Sequence, residues 1–521
     1  MLLARLLYWT MPAVLLVWAV AGVRVLRTAP GWRRALLGAW PIALLAAALT
    51  VAVAVLLPPA MRMQFDETSL CGTAQNMHEH RLAMMTMAAV PGQDGALQVL
   101  DYNLDKRPPL FPFLVSVLHD LTGYRVANAF VVNLGLLFGL LTVLGAAVRA
   151  RLGLLAGLAA PLLAVAVPLL PWVATSAGFE LLAAFLLLVV ILAADAAVRD
   201  PTAERIGWLL ANGLLFAQAR YESIVVFAVV LALVGWRVRS RLWAPGTRWL
   251  WGLSPLLLAC VVLQMWHSRD PGFYLESGGA PLVGLGNFTG HVGPFLATFF
   301  APSLQGVLLG APALAGLLAW MWLLARRRTS FFDLLAIVPT LAATAIVLAW
   351  FYGDVTEPTA LRLFLPVAVL GGVAPLLLLR AVDARWMHTL VLAGAALLAG
   401  LRLPLLAIGQ VLPKALAPAV LEVVDAALRR AGPDPKTTVV VTSVAQYVLL
   451  RGQPAMPANA LQQRGAGAAK GLLFVTTPLD AQLAPWFGDV AELVRRSGAV
   501  REFEVRDARG ELAVAVYWLF R

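Results

Sequence analysis

The residues best suited to chemistry are acids and bases that stand beside long apolar runs. Asp66 and Glu67 follow one such run, in QFDETSLCGTAQ, although only 13% of the 521 residues are charged. A carboxylate can take a proton from an acceptor hydroxyl. Arginine and lysine can hold a phosphate and offset the charge that grows on it as it leaves. Further polar groups near the ends of apolar runs are Lys106, Arg107, Glu180, Arg220, Glu222, His267, Arg269, Tyr352 and Arg362.

The composition places these groups in a membrane protein. Hydrophobic residues make up 61% of the chain and the mean hydropathy is +0.81, whereas soluble domains usually carry about a quarter charged residues. Apolar runs of roughly 18–25 residues are long enough to cross a bilayer core of about 30 Å. We therefore predict a polytopic α-helical membrane protein with about twelve transmembrane helices. The predicted spans are 4–23, 36–58, 124–148, 152–171, 178–197, 206–219, 221–237, 249–266, 303–325, 331–351, 362–380 and 386–410.

Arginine clusters indicate the orientation of these helices. Each cluster follows an odd-numbered predicted span, so all clusters fall on one side of the membrane when the spans alternate. Cytoplasmic loops are enriched in Lys and Arg, so loop 59–123 and the C-terminus are predicted to lie outside. The formal net charge of +12 comes from these loops and does not indicate nucleic-acid binding. The Arg-rich, Ala/Leu-heavy composition favours the bacterial inner membrane, with the active site on the periplasmic side.

Two regions outside the spans have patterns of their own. Loop 59–123 contains NMHEHRLAMMTMAAV and PPLFPFLVSVLHDLTG, which predict two helices lying in the membrane interface. Beyond residue 411, VLEVVDAALRRAG predicts a helix, TTVVVTSV and KGLLFVTTP predict buried strands, and VREFEVRD with ELAVAVYWLF predicts a hairpin. We expect a transmembrane domain over 1–411, with the acidic motif in its first periplasmic loop, and a small soluble α/β domain over 412–521.

The order of the polar motifs resembles that of the GT-C glycosyltransferases. An Asp-Glu pair after an early span is followed by KRPPL, by an acid that opens a later span (Glu180), by RYES at the end of a small-residue-rich helix, and by LRLFLPVAVL. The set is most similar to the protein O-mannosyltransferase and lipid A aminoarabinose transferase branch, and it covers residues 36–410. The resemblance implies inverting, single-displacement transfer of a sugar from a polyprenyl-phosphate-linked donor to a hydroxyl.

The resemblance also implies roles for particular residues. Asp66 is the expected general base, Glu67 its neighbour that orients or shares the acceptor proton, and Glu180 a second acid that positions acceptor or sugar. The expected phosphate-binding residues are Lys106, Arg107, Arg220, Arg269 and Arg362, and the expected cavity residues are Tyr352, His267 and Glu222. Arg107 precedes the proline pair where the family more often has Lys or His, which leaves open whether Lys106 or Arg107 is the main phosphate ligand.

The same resemblance sets the expected partners. These are the lipid bilayer, a lipid-linked sugar donor, and a lipid, polysaccharide or protein acceptor. No cofactor is expected to be required, and a metal is not expected. The HEH sequence at His78–His80 does not favour a metal site in a helix, because residues two apart do not share a helix face.

Each assignment has an alternative. Asp66 and Glu180 could cap helices, the basic pair of KRPPL could anchor in lipid headgroups, and Arg220 could form a structural ion pair with Glu222. The alternative function is a multi-pass lipid or solute transporter or flippase, which would be supported by inverted repeats and by acids at mid-membrane. The acids here lie near the ends of spans. A scaffold whose outer domain binds partners is a third alternative.

Overall fold

The apolar runs fold into helices, as their length and composition predict. The computed structural model describes residues 1–28, 37–92, 97–243, 245–267, 281–300, 304–382, 384–407, 416–507, 510 and 512–520. In chain order the α-helices before residue 408 are α1 Leu2–Thr28, α2 Trp40–Leu56, α3 Gln64–His80, α4 Leu110–Thr122, α5 Ala127–Leu152, α6 Leu154–Ala166, α7 Leu169–Ala174, α8 Glu180–Arg199, α9 Ala203–Ala217, α10 Ser223–Leu242, α11 Arg248–His267, α12 Leu285–Phe300, α13 Leu304–Ala325, α14 Phe331–Ala349, α15 Pro358–Leu361, α16 Leu365–Val373, α17 Leu377–Ala381 and α18 Arg385–Ala407.

Eight helical segments within the described residues are long and apolar enough to cross a membrane. They are Leu2–Thr28, Ala127–Leu152, Glu180–Arg199, Ser223–Leu242, Pro245–Gln264, Phe331–Ala349, Arg362–Ala381 and Trp386–Leu406. Shorter apolar helices are Trp40–Leu56, Leu110–Thr122, Leu154–Ala166 and Gly310–Ala325. The polytopic helical class is confirmed, whereas the count of about twelve spans stays a prediction. The predicted span 206–219 falls on α9, whose 15 residues extend only about 22 Å.

Helix α8 lies at the centre of the bundle. Thirteen of its 20 residues are buried, and it packs against α5, α9, α10 and α14. Its first residue is Glu180, so a carboxylate stands where the most buried of the eight candidate spans begins. A helix that is apolar on all sides is expected to be buried. The acid at its N-terminal end therefore needs partners from the helices around it.

Loop 59–123 differs in part from its prediction. Helix α3 ends at His80, where Arg81 adopts a left-handed conformation with φ of 56°. The predicted helix over NMHEHRLAMMTMAAV is therefore wrong beyond His80, because its second half forms strand β1, Met85–Pro91, which pairs antiparallel with β2, Leu97–Asn103. The amide of Asn76 fixes this change of direction by donating to the carbonyl of Met84 at 2.9 Å and to the hydroxyl of Thr86 at 3.1 Å.

The second predicted helix of this loop is confirmed. Helix α4 begins directly after Pro108–Pro109, and proline suits a first helical turn because its missing N–H has no helical partner there. Helix α4 packs along α3. Its buried residues include Phe111, Val115 and His119. The position of both helices in the membrane interface stays a prediction.

The C-terminal region forms the predicted α/β structure. Its elements are α19 Leu416–Ala431, β3 Thr438–Val441, α20 Ala445–Leu450, β4 Ala455–Met456, α21 Ala458–Arg464, β5 Gly471–Thr476, α22 Asp480–Phe487, α23 Val490–Ser497, β6 Val500–Arg506 and β7 Ala513–Phe520. The strand order is β4-β3-β5-β7-β6, with β3 parallel to β4 and β5, and β7 antiparallel to β5 and β6. The proposed domain boundary at 411/412 lies outside the described residues.

Helices of the C-terminal region pack directly on the helix that carries the acidic pair. The side chain of Gln446 on α20 accepts hydrogen bonds from Thr68 at 3.2 Å and Ser69 at 3.4 Å on α3. The rings of Phe65 on α3 and Phe487 on α22 lie 5.4 Å apart. Residues of β1 also share a hydrophobic core with β3. The C-terminal region therefore supports α3 and helps to fix where Asp66 lies.

Candidate active site

The adjacent acids Asp66 and Glu67 have different partners, because neighbouring helical residues point about 100° apart. Glu67 is 1% exposed. Its carboxylate accepts backbone N–H groups of Arg62 at 3.0 Å, Met63 at 3.2 Å and Ala177 at 3.1 Å. Glu67 therefore caps the start of α3 and ties it to the segment before α8. The capping carboxylate is that of Glu67, whereas Asp66 contacts guanidinium groups.

Burial raises the pKa of Glu67 from an ordinary 4.5 to about 8, although hydrogen bonds from Ala177 and Arg62 oppose the shift. A carboxyl group with a raised pKa stabilises the fold below its unfolded pKa, and that contribution is lost as pH rises through the folded pKa. We expect the Tm of the wild type to fall relative to that of Glu67→Gln between about pH 5 and pH 8. Thermal unfolding in detergent measures this. Parallel pH curves for the two proteins would contradict a raised pKa.

Asp66 lies between two arginines from distant parts of the chain. Its Oδ1 pairs with Nη2 of Arg107, in the turn before α4, and its Oδ2 pairs with Nη2 of Arg362, in the 3-10 turn Arg362–Phe364. Both arginines are buried, and the Asp66 side chain is 29% exposed. Arg362 lies 296 positions after Asp66 in the sequence. The fold thus brings together the predicted base and two predicted phosphate ligands.

These pairs continue into a longer array of alternating charges. Arg362 Nη1 lies 3.0 Å from Glu180 Oε1, which lies 3.6 Å from Arg220 Nη1. Arg220 Nε donates to Glu222 Oε1 at 2.5 Å. At the other end, Arg107 Nη1 donates to Asp105 Oδ1 at 2.8 Å. We call the array the charge chain, and its order is Asp105, Arg107, Asp66, Arg362, Glu180, Arg220 and Glu222.

The geometry of Glu180 distinguishes it from the other acids of the charge chain. It is 3% exposed, and neither carboxylate oxygen has a well-aligned hydrogen bond from a described residue. The two flanking guanidinium groups therefore offset its charge without saturating its oxygens. A buried acceptor without a donor costs about 1–3 kcal/mol, so this carboxylate is suited to receive a hydroxyl donor from a bound molecule.

A small cavity of about 20 Å³, enough for one water molecule, lies against this half of the charge chain. One wall is polar and the rest is apolar. The polar lining is Glu180, Arg220, Glu222, Ser223 and Arg362. The apolar lining is Ala183, Leu187, Phe216, Val226, Ala343, Leu363 and Pro366. We call this the charged cavity, and in its lining charged side chains lie next to apolar ones.

The remaining predicted site residues are not part of the charge chain or of the lining given for the charged cavity. Lys106 is half-buried beside Arg107. Tyr352 is 40% exposed and does not line the charged cavity. His267 is the last residue of α11, and its side chain lies outside the described part of the structure, as does all of Arg269. The structure therefore brings Asp66, Arg107, Glu180, Arg220, Glu222 and Arg362 together, with Glu67 one residue away on the helix.

Sequence reasoning missed two members of this neighbourhood. Asp105 ends the charge chain, and Gln264 of α11 donates to the backbone on both sides of Lys106. Asp105 is the first residue of DKRPPL, and its position two residues before Arg107 could have indicated an ion pair between them. Gln264 gave none, because a single polar residue in an apolar helix does not reveal which loop it contacts.

Part of the HEH sequence belongs to a separate ionic cluster around Asp120. His78 Nδ1 lies 2.6 Å from Asp120 Oδ1, and Arg81 Nη1 lies 2.8 Å from Asp120 Oδ2. The described residues contain no group of three or more His, Cys, Asp or Glu side chains arranged to hold a metal ion. Asp120 therefore joins the end of α4 to the end of α3, away from the charge chain.

Comparison with known proteins gives one informative likeness. Neither a protein-family model nor a curated protein sequence matches the chain. Among solved structures, ArnT from Cupriavidus metallidurans bound to undecaprenyl phosphate has a TM-score of 0.54 and 15% identity, over 94% of this chain and 98% of that one. The chain has the fold of ArnT. The predicted GT-C resemblance is thereby confirmed for the fold.

Two further structures are similar. ArnT from the same organism in the apo state has a TM-score of 0.54 and 16% identity, over 92% of this chain and 97% of that one. The Archaeoglobus fulgidus oligosaccharyltransferase complex with Zn and sulfate has a TM-score of 0.43 and 15% identity, over 91% of this chain and 73% of that one. The ArnT likeness extends over nearly the full length of both chains, so it includes the C-terminal sheet as well as the helices.

Proposed function

We propose that this protein is a membrane glycosyltransferase that moves a sugar from a polyprenyl-phosphate-linked donor to a hydroxyl acceptor. The observation that carries the proposal is the charge chain, which contains three buried arginines, two of them beside a small cavity whose other walls are apolar. Arginine pairs are suited to bind phosphate through charge-assisted hydrogen bonds. The shared fold with ArnT, whose structure contains undecaprenyl phosphate, supports the same ligand class.

In this proposal the donor binds at the charged cavity, which has room for about one water molecule and must widen to admit it. The donor phosphate then approaches Arg220 and Arg362 on the polar wall, and the first isoprenoid units contact the apolar lining around Leu187 and Val226. Arg107 reaches the same phosphate from the other side of Asp66. Lys106, which is half-buried, and Arg269 remain proposed as outer phosphate contacts, and Tyr352 and His267 as contacts to the sugar.

The phosphate and Asp66 then compete for the same guanidinium groups. Asp66 is held by Arg107 and Arg362, and a carboxylate in contact with two cations is a weak base. A phosphate that takes over these cations releases Asp66, which becomes a stronger base. Base catalysis at Asp66 is therefore coupled to donor binding.

The transfer itself is a single displacement. The acceptor hydroxyl gives its proton to Asp66 while its oxygen bonds to the anomeric carbon of the sugar. The bond from that carbon to the phosphate oxygen breaks on the opposite face, and its electron pair leaves with the phosphate. The product lipid phosphate gains one negative charge, which Arg107, Arg220 and Arg362 stabilise. Glu180, with its unsaturated oxygens, positions the sugar or acceptor, and Glu67 positions α3.

The placement of the acids favours transfer over transport. Glu180 is the first residue of α8, and Glu222 directly precedes α10. A transporter pathway is expected to carry ionisable groups near the bilayer midplane, whereas these groups cluster at one end of several helices. With the arginine-rich loops inside, the reaction takes place on the periplasmic face of the bacterial inner membrane. The acceptor is then a periplasmic lipid, polysaccharide or protein hydroxyl.

The lipid bound by the purified protein tests this function. We expect mass spectrometry to find a polyprenyl phosphate or its glycoside in the purified protein. A titration with polyprenyl phosphate should give a Kd that rises about tenfold in Arg107→Gln, because a charge-assisted hydrogen bond contributes about 1.5–3 kcal/mol. Lys106→Gln should change the Kd less, since the charge chain contains Arg107.

Arg81→Gln is the matched control for that titration. Arg81 is an ion-paired arginine of the same loop, but its partner is Asp120, so its replacement should leave the Kd unchanged. Absence of any polyprenyl phosphate from the purified protein, together with no binding in the titration, would reject the proposed function. Equal effects of Lys106→Gln and Arg107→Gln would reject the ranking of the two cations.

A further inference from the structure

The turn that carries Arg107 is held by a side chain from a distant helix. Gln264 on α11 donates through Nε2 to the backbone carbonyl of Asp105 at 2.6 Å and to that of Arg107 at 2.7 Å. Gln264 and Asp105 are each 2% exposed, and Arg107 is 4% exposed. The turn lies between β2 and α4, so neither carbonyl has a backbone partner within a described helix or strand, and Gln264 supplies the donor for both.

Asp105 fixes the side chain of Arg107 as Gln264 fixes its backbone. Asp105 Oδ1 accepts the backbone N–H of Arg107 at 3.1 Å and its Nη1 at 2.8 Å. One edge of the guanidinium is thereby held, and Nη2 is left to face Asp66. Asp105 therefore sets the orientation of the Arg107 guanidinium toward Asp66, although Asp105 itself does not line the charged cavity.

The contacts of this turn leave two buried oxygens without a donor. Asp105 Oδ2 and Gln264 Oε1 are buried and have no hydrogen bond from a described residue. Gln264 in return satisfies two backbone carbonyls, which an apolar side chain would leave without this donor. Gln264 therefore holds the backbone of the turn, and Asp105 holds the guanidinium that the turn carries.

We propose that Asp105 and Gln264 are positioning residues that preorganise Arg107 for the donor phosphate. The proposal rests on the proposed function, and it concerns two residues that contact Arg107 and not the substrate. When a phosphate displaces Asp66, Nη2 of Arg107 already points at the site that Asp66 leaves. Donors that need no reorganisation stabilise developing charge most effectively, and immobilising a flexible side chain in advance lowers the cost of binding.

A double-mutant cycle tests the proposal. Gln264→Met keeps the length of the side chain and removes both donors, and we expect kcat/KM for the lipid-linked donor to fall about tenfold, as for loss of one well-placed charged contact. In the background of Arg107→Gln the same replacement should lower kcat/KM less than about twofold, because both changes remove one interaction. A structural role alone would give equal losses in the two backgrounds.

Matched controls separate this effect from general destabilisation. Asn212 of α9 is a buried amide that donates to the carbonyl of Trp208 at 2.7 Å and accepts from Trp18 at 2.8 Å, so Asn212→Leu should act equally in both backgrounds. Asp105→Asn keeps the acceptor oxygen and removes the charge, and it provides a second cycle with Arg107→Gln should Gln264→Met fail to fold. Asp120→Asn is its control.

The outcomes are distinct. A wild type that neither binds polyprenyl phosphate nor transfers sugar would reject the proposed function. A wild type that does both, with Gln264→Met or Asp105→Asn matching its control, would overturn the positioning role alone. Losses that add fully to those of Arg107→Gln would overturn it as well.

Discussion

Replacing Asp66 by asparagine lowers the rate of sugar transfer at least about 100-fold and leaves binding of the donor lipid intact or stronger. An amide cannot take the proton of the acceptor hydroxyl, and loss of a positioned general base typically costs about 10²–10⁴ in rate. Donor binding survives because Asp66 contacts Arg107 and Arg362 as a competitor of the phosphate. The neutral side chain leaves both guanidinium groups more available to an anion.

Two measurements on the same preparations check this result. Single-turnover transfer from a polyprenyl-phosphate sugar gives the rate, and titration with polyprenyl phosphate gives the Kd. Asp120→Asn is the control, because Asp120 is an arginine-paired aspartate of the same loop, 59–123, and its replacement should change neither quantity. Normal turnover in Asp66→Asn would remove Asp66 from the reaction, and a large rise in the Kd would show that Asp66 acts by holding the arginines in place.

Local patterns predicted the elements and the members of the site better than they predicted contacts. Apolar runs predict the helices of the bundle, and runs rich in β-branched and aromatic residues predict β3, β5, β6 and β7. The strand Met85–Pro91 was mistaken for helix because its stability comes from β2 and from packing on the C-terminal sheet. Such tertiary contacts override local preference, and MMTMAAV has no marker that excludes a helix.

The division of labour between Asp66 and Glu67 also needed the structure. The sequence shows two adjacent acids. In the fold, Glu67 accepts hydrogen bonds from three backbone N–H groups, whereas Asp66 pairs with two guanidinium groups. The separation of 296 positions between Arg362 and Asp66 places their contact beyond any periodic pattern. The order of motifs selected Arg362 as a candidate. Only the fold, which brings its Nη1 to 3.0 Å from Glu180 Oε1, shows it to be the shared partner of Asp66 and Glu180.

Arg362→Leu should destabilise the protein strongly. It leaves the buried Glu180 with Arg220, at 3.6 Å, as its remaining ion-pair partner among the described residues, and removing one partner of a buried ion pair costs about 3–5 kcal/mol. Transfer should also be lost, because Arg362 lies between the proposed base and the charged cavity. The control is Arg380→Leu, since Arg380 pairs with the buried Asp333 at 2.6 Å outside the charge chain. It should lower stability and leave donor affinity unchanged.

The double variant Arg362→Leu with Glu180→Leu separates stability from function. Replacing both members of a buried pair by apolar residues is often neutral or stabilising, so most of the lost Tm should return while transfer stays absent. Thermal unfolding in detergent and the transfer assay give the two quantities. Recovered activity would show that this pair only holds the fold together. If the Tm does not recover, Arg362 stabilises the protein chiefly through its pair with Asp66. The part of the charge chain from Asp105 to Arg362 would then act independently of the part from Glu180 to Glu222.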